Sequence, residues 1–191
     1  IWKDASNNVI FFDNSLPDEV MVFICGTGNC IRFGKNLLIN ELILILGNSG
    51  SCEIGENTRI LQANIFIAHG AVTIGKDCLF SIGVTIRTHD GHHIFDRNTH
   101  KRINHTKDVV IQDHVWIGEG AWLLPGAIIG EGSIVGAKTI TSSQFEDHVI
   151  IAGIPGKVLR REVCWSKDST DYMNYSCLEE CISKDAWMYR G

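Results

Sequence analysis

Residues 111–137 read IQDHVWIGEGAWLLPGAIIGEGSIVGA, and their aliphatic positions fall on a beat of six. Ile111, Ile117, Leu123, Ile129 and Val135 mark the beat. Gly118, Gly130 and Gly136 follow three of these markers directly, and Val115, Ala121 and Ala127 stand two places before three of them. An amphipathic helix spaces its apolar positions by three, four and seven, and a half-buried strand alternates by two, so a sustained six matches neither. Short strands joined by turns do match it. Three such units close a coil of about 18 residues with a triangular section, each sixth aliphatic side chain pointing to the axis and stacking on its equivalent about 4.8 Å away. The corners call for small or conformationally free residues, and the chain carries 19 Gly against 3 Pro in 191 residues. That excess without proline is neither collagen nor disorder; it predicts regularly placed tight turns.

Working outward, the beat returns upstream at Ile54-Gly55, Ile60, Ile74-Gly75, Phe80-Ser81 and Ile86-Arg87. It is weaker between Cys25 and Gly50, where Leu42-Ile43-Leu44-Ile45-Leu46 reads as an inner strand segment rather than a helix. Between Thr88 and Lys107 it is broken by the polar run from His89 to His100, which predicts an extruded loop, the kind of place where a rigid framework carries binding or catalytic groups. Ile154-Pro155-Gly156 ends the repeat. Tyr172, Tyr175, Leu178, Ile182 and Met188 then suggest one or two short helices within 168–190. The expected organisation is an N-terminal segment, 1–30, leading into the coil; an all-β parallel β-helix, 31–153, of about five to six coils with its loop at 88–107; and a C-terminal turn with a helical tail, 154–191.

The length fits one compact domain. A formal charge of -5, from 17 Lys and Arg against 22 Asp and Glu, argues against a general nucleic-acid binder while leaving room for a local basic pocket. No apolar run approaches the ~20 residues that span a bilayer, and a basic leader with an apolar core does not assemble at the start, so a cytoplasmic protein is the expectation. Cysteines 25, 30, 52, 78, 164, 177 and 181 are odd in number with no Cys-x-x-Cys, and are read as reduced. Cys177 and Cys181 stand four apart in the expected helical tail.

Four stretches then acquire a common meaning: Asp90-Gly91-His92, Arg102-Ile103-Asn104, His114-Val115-Trp116-Ile117-Gly118, and Ala152-Gly153-Ile154-Pro155-Gly156-Lys157-Val158-Leu159-Arg160. Together with the repeat, over about residues 50–163, the sequence resembles the hexapeptide-repeat acyltransferases with a left-handed parallel β-helix, in a pattern close to bacterial sugar and polysaccharide O-acetyltransferases. The resemblance implies acetyl-coenzyme A (acetyl-CoA) as cosubstrate, a saccharide acceptor, no metal, and a homotrimer with active sites between subunits. It implies that His92, 24 residues before Trp116, is the catalytic histidine. It further implies that Ala137, Ser142, Lys157 and Arg160 line a coenzyme A groove, and that Asn64 is an acceptor-site asparagine.

The chemistry suits these residues. Acetyl transfer to a hydroxyl needs a base as the oxygen attacks the thioester carbonyl, and a neutral imidazole, with an ordinary pKa of about 6.5, serves at neutral pH. The imidazolium then protonates the departing thiolate while a backbone N–H steadies the oxyanion, so a cysteine nucleophile is not required. Asp90, and less directly Asp96, are candidate partners for an imidazole. His93, like His89, is a candidate substrate contact, and His100 and His105 shape the loop; His69, His114 and His148 read as surface or interface groups. Trp116 is expected to wall the thioester or acceptor, and Trp122 to be structural or interfacial. Lys157, Arg160 and Arg161 form a basic cluster in an acidic chain, suited to the phosphates of coenzyme A. Three other readings stand beside this one: N-acetylation of an amino sugar, a carbonic-anhydrase-like enzyme holding zinc on His69, His89, His92 or His93 between chains, and a noncatalytic β-helical scaffold.

Overall fold

The computed structural model of the chain describes residues 6–13 and 20–167. It is an all-β solenoid in which parallel strands stack into three sheets. The first sheet runs Val9–Phe12, Cys30–Phe33, Ser51–Ile54, Ala71–Ile74, Val109–Ile111 and Ile128–Ile129. The second runs Leu38–Ile39, Arg59–Ile60, Leu79–Phe80, Trp116–Ile117, Ile134–Val135 and Ile150–Gly153, with Gly156–Arg160 added antiparallel at its end. The third runs Val20–Ile24, Leu42–Leu46, Ala63–Ile67, Val84–Arg87, Trp122–Leu123 and Ile140–Thr141. From Cys30 on, each coil visits the three sheets in that order, and each strand pairs with its counterpart one coil away.

The six-residue beat is the inward column. Ile54, Ile60, Ile74, Phe80, Ile86, Ile111, Ile117, Leu123, Ile129 and Val135 are all 0–1% exposed. Each such side chain contributes about 1.5–3 kcal/mol by leaving water, and their stacking makes one continuous core. Leu42–Leu46 is a strand, as its composition suggests: Leu42, Leu44 and Leu46 face in, while Ile43 and Ile45 face out.

The weak periodicity of the first third has a geometric cause. Trp116 pairs with Ile134, eighteen positions on, but Cys30 pairs with Ser51, twenty-one on, and Val20 with Leu42, twenty-two on. The early coils therefore carry extra corner residues, which shift the beat without disturbing the axial stack. Leu79 pairs with Trp116, thirty-seven on, because the segment from Thr88 to Asp108 is inserted at the corner between the third and first sheets.

The corners refine the role expected of glycine. At the corner between the first and second sheets, Asn36, Asn57, Asp77, His114 and His148 all have φ between 52° and 60°, with Gly132 the one glycine in that column. Asn and Asp tolerate such dihedrals through local hydrogen bonding, and the column supports itself: Asn36 donates to Asn57 Oδ1 at 3.2 Å, and His114 Nδ1 lies 2.6 Å from Asp77 Oδ2. Glycine is needed one step earlier, where adjacent coils nearly touch. A Cβ on Gly55 would lie 2.5 Å from backbone atoms of Gly75 and Lys76.

The ladder begins at Val9, ahead of residue 31, since Val9–Phe12 pairs with Cys30–Phe33. At the other end Gly153 pairs with Gly156 across an antiparallel hairpin that contains Ile154-Pro155. The chain then runs back along the His114 corner. Val163 donates to the His148 carbonyl, Trp165 stacks on His114 at 4.2 Å, and Lys167 Nζ reaches Asp77 Oδ1 at 2.6 Å. The helical tail expected within 168–190, with Cys177 and Cys181, lies outside the described residues. Among the described residues, no helix is long and apolar enough to cross a membrane.

Candidate active site

One side chain ties the insertion at three points. Asn104 Nδ2 donates to Asp90 Oδ2 at 2.8 Å and to the carbonyl oxygen of His92 at 2.7 Å, while Asn104 Oδ1 accepts the N–H of Ile94 at 2.7 Å. Arg102 donates to the Asn104 carbonyl at 3.0 Å, and Phe95 and Arg102 form an antiparallel bridge. Gly91 turns with φ of 85° in open space, and its N–H donates to His89 Nδ1 at 3.0 Å. The main chain on both sides of His92 is therefore tied while its imidazole is exposed to solvent. Burial first, and then the Arg87 guanidinium, hold His89 below the ordinary imidazole range, which favours the neutral ring that accepts the Gly91 N–H.

The carboxylates considered as imidazole partners are engaged elsewhere. Asp90 takes the Asn104 amide. Asp96 accepts the N–H groups of Thr99 at 2.6 Å and Asn98 at 3.0 Å, and those hydrogen bonds, Thr99's foremost, hold its carboxyl below the usual range. Among the described residues, no hydrogen bond joins either of them to a histidine ring. His93 is exposed and meets Phe95 edge-on at 6.1 Å. Burial pushes the Cys52 and Cys78 thiols up to about 12, so neither supplies a thiolate near neutral pH. Among the described residues, no group of three His, Cys, Asp or Glu side chains is placed to hold a metal ion.

The remaining site candidates gather at the C-terminal end of the solenoid. Trp116, 39% exposed, stands on the outer face of the second sheet in register with Ile134; Ile134 is in register with Ile150, and Ile150 with Arg160. Lys157 pairs with Ala152 in the same closing hairpin, and both cations are exposed. Ala137 is exposed at the corner leading from the second sheet to the third, and Ser142 is exposed just past Ile140–Thr141. Asn64 lies elsewhere, half-buried on the outer face of the third sheet, in register with Ile43 and Thr85.

Within one chain these groups do not all converge. The corner that carries His92 joins the third and first sheets and so does not border the second sheet, where Trp116 and Arg160 stand. Two residues went unassigned by sequence. Asn104 sat inside the quoted Arg102-Ile103-Asn104 segment, and its polar character beside Asp90 was the available signal. Arg87 was read only as the residue after an inward marker, yet its Nε is buried without a hydrogen-bond partner.

No protein-family model matches the chain. A polysialic acid O-acetyltransferase of Escherichia coli O1:K1 / APEC is 43% identical over 96 residues, which are 50% of this chain and 31% of that protein. A polysialic acid O-acetyltransferase of Neisseria meningitidis is 30% identical over 139 residues, covering 61% of this chain and 65% of that one. The chain thus spans less than two thirds of the length of these curated relatives. Among solved structures, the polysialic acid O-acetyltransferase OatWY superposes with a TM-score of 0.68 at 26% identity, covering 94% of this chain and 99% of that chain.

Proposed function

We propose that this chain, which belongs to the hexapeptide-repeat acyltransferases related to bacterial polysialic acid and capsular O-acetyltransferases, transfers an acetyl group from acetyl-CoA to a hydroxyl of a surface polysaccharide. The observation that carries the reading is the presentation of His92: an exposed imidazole whose own carbonyl and the following Ile94 N–H are both held by Asn104, which also holds the Asp90 carboxylate ahead of it. His92 takes the acceptor hydroxyl proton as the oxygen bonds to the acetyl carbon. The carbon–sulfur bond breaks, and the imidazolium returns the proton to the coenzyme thiolate. Lys157 and Arg160 hold the coenzyme phosphates, Ala137 and Ser142 border the pantetheine arm, and Trp116 walls the thioester. Asn64, Asp90 and His93 face the acceptor, Asp90 through its bond to Asn104.

We read the coil as left-handed, the insertion as extruded, and the working unit as a homotrimer with its sites between chains. Two observations favour assembly. His92 and the Trp116–Arg160 column lie on parts of one chain that do not face each other, and a neighbouring copy can supply the missing half. The third sheet also turns Met21, Phe23 and Trp122 outward at 46%, 50% and 40% exposure, an apolar surface of the kind that a partner covers.

The test is an acetyl-CoA assay with thiol release followed against a saccharide panel; folded protein that releases no thiol with any acceptor sinks the reading. Two variants divide the roles. Asn104→Ala removes the bonds to Asp90, His92 and Ile94, and is expected to lower kcat by roughly tenfold or more with the KM for acetyl-CoA unchanged, because it loosens His92 without touching the coenzyme. A change confined to KM would show that Asn104 does not position the base. Lys157→Ala with Arg160→Ala is expected to raise the KM for acetyl-CoA by roughly 10–100-fold with kcat within about threefold; unchanged KM would place the phosphates elsewhere.

A further inference from the structure

We propose that Trp165, on the segment that runs back along the solenoid, is a positioning residue for Trp116, holding that indole in place as a wall of the transfer site. The inference rests on the transfer reading above and adds to it a residue that no motif marks. Trp116 stands on the two-residue strand Trp116–Ile117, 39% exposed, with Leu79 and Ile134 in register on either side. A side chain that far into solvent has several staggered rotamers open to it, whereas a group that borders a reacting carbonyl must keep one orientation. The Trp165 ring centre lies 6.0 Å from that of Trp116, with the planes tilted by 45°, inside the range in which aromatic rings attract one another.

Trp165 is itself held fast by His114. The two rings stack, centre to centre at 4.2 Å and 10° from parallel. Trp165 Nε1–H donates to the His114 carbonyl at 2.9 Å, and the Trp165 carbonyl lies 3.0 Å from His114 Nε2. A carbonyl can only accept, so Nε2 is the donor there. The other ring nitrogen, Nδ1, lies 2.6 Å from Asp77 Oδ2, which fixes the imidazole plane on which the indole rests. Two residues further on, Lys167 Nζ reaches Asp77 Oδ1 at 2.6 Å and the Asn57 carbonyl at 2.7 Å; two residues earlier, the Val163 N–H donates to the His148 carbonyl at 3.0 Å. The segment is thus pinned on both sides of Trp165.

Burial along the segment alternates accordingly. Val163, Trp165 and Lys167 are half-buried, and Cys164 and Ser166 are exposed, so alternate side chains face the solenoid. His114 stands two residues before Trp116, so one clamp orders both members of the pair: His114 carries Trp165, and the strand that leaves His114 carries Trp116. The N–H and the carbonyl of Trp165 are both spent on His114. What it offers Trp116 is a fixed apolar surface, and it acts on the reaction only through that indole.

The test compares wild type, Trp165→Phe and Trp165→Ala, each with Trp116 present and with Trp116→Ala. Ring motion at Trp116 is read by fluorine NMR relaxation in protein labelled with fluorotryptophan, its resonance being assigned with Trp116→Phe. Relaxation reports mobility rather than the mere loss of a nearby ring. Trp165→Ala is expected to make the Trp116 ring mobile and to lower kcat by roughly tenfold, with the KM for acetyl-CoA within about threefold. Trp165→Phe, which keeps a ring over His114 but loses the Nε1 bond, should recover most of that loss. Once Trp116 is alanine, Trp165→Ala should lower kcat by less than about twofold, because no indole remains to be held.

Equal Trp116 relaxation in wild type and Trp165→Ala overturns the proposal. So does a loss of kcat that persists undiminished beside Trp116→Ala, which would give Trp165 a role of its own. Should Trp165→Ala not fold, Lys167→Ala releases the segment from Asp77 and Asn57 while leaving both indoles in place; it should loosen the Trp116 ring, and an unmoved relaxation overturns the proposal. The relaxation reads the clamp without turnover. A loosened Trp116 in a protein whose wild type releases no thiol would refute the transfer reading and leave the clamp standing, and thiol release with Trp116 unaffected would refute the clamp alone.

Discussion

Replacing His92 by alanine is expected to lower kcat for acetyl transfer by roughly 10²–10⁴-fold, the range supplied by a positioned general base. The fold and the affinity for acetyl-CoA should be preserved. His92 is exposed and contributes nothing to the axial stack, and it is the His92 carbonyl, retained in the variant, that receives the Asn104 amide. A circular dichroism spectrum and thermal midpoint matching wild type, with unchanged coenzyme binding, would isolate the loss to chemistry. Near-normal turnover would remove His92 from the mechanism.

Ile129→Asp should have the opposite profile, destroying the fold rather than the chemistry. Ile129 is 0% exposed and belongs to the continuous core; its strand is bonded to Val109–Ile111 in the first sheet. The variant forfeits about 3 kcal/mol of apolar burial and must bury a carboxyl group with no partner, at a further cost of several kcal/mol. Set against a typical stability of about 5–15 kcal/mol, this leaves little or no folded protein at 25 °C. Ile129→Val, which removes one methylene, should cost about 0.5–1.5 kcal/mol and fold normally. Thermal unfolding of the pair checks this, and a cooperatively folded Ile129→Asp with a near-wild-type midpoint would contradict the axial assignment.

The core could be read from sequence wherever a coil is eighteen residues long. From Ile111 to Val135 the spacing and the burial coincide. Nearer the N-terminus the coils lengthen to twenty-one and twenty-two residues, and because the additions fall at corners they shift the beat while sparing the stack. Glycine was legible as a corner signal but not in its division of labour. Positive dihedrals at the first corner fall mainly to Asn, Asp and His, while Gly55 and its counterpart Gly75 make room for the next coil.

The arrangement of the candidate site was less legible, for a different reason. The 24-residue spacing of His92 and Trp116 is a property of the string, but the faces on which they stand depend on which corner receives the insertion. Asn104 reaches Asp90 across fourteen residues of irregular chain, and Trp165 reaches His114 across fifty-one. No period encodes either contact. Arg87 was hidden because a strand-end position after an inward isoleucine looks like ordinary solvent-facing alternation; only its buried, unbonded Nε marks it out.

The most direct test of the central claim is to incubate the folded protein with acetyl-CoA and a saccharide panel and to locate any acetyl group on the product by mass spectrometry. The account predicts an ester on a saccharide hydroxyl, formed in step with free coenzyme A and lost in His92→Ala. An acetyl group found only on an amino nitrogen, or none on any saccharide despite intact coenzyme binding, would contradict it.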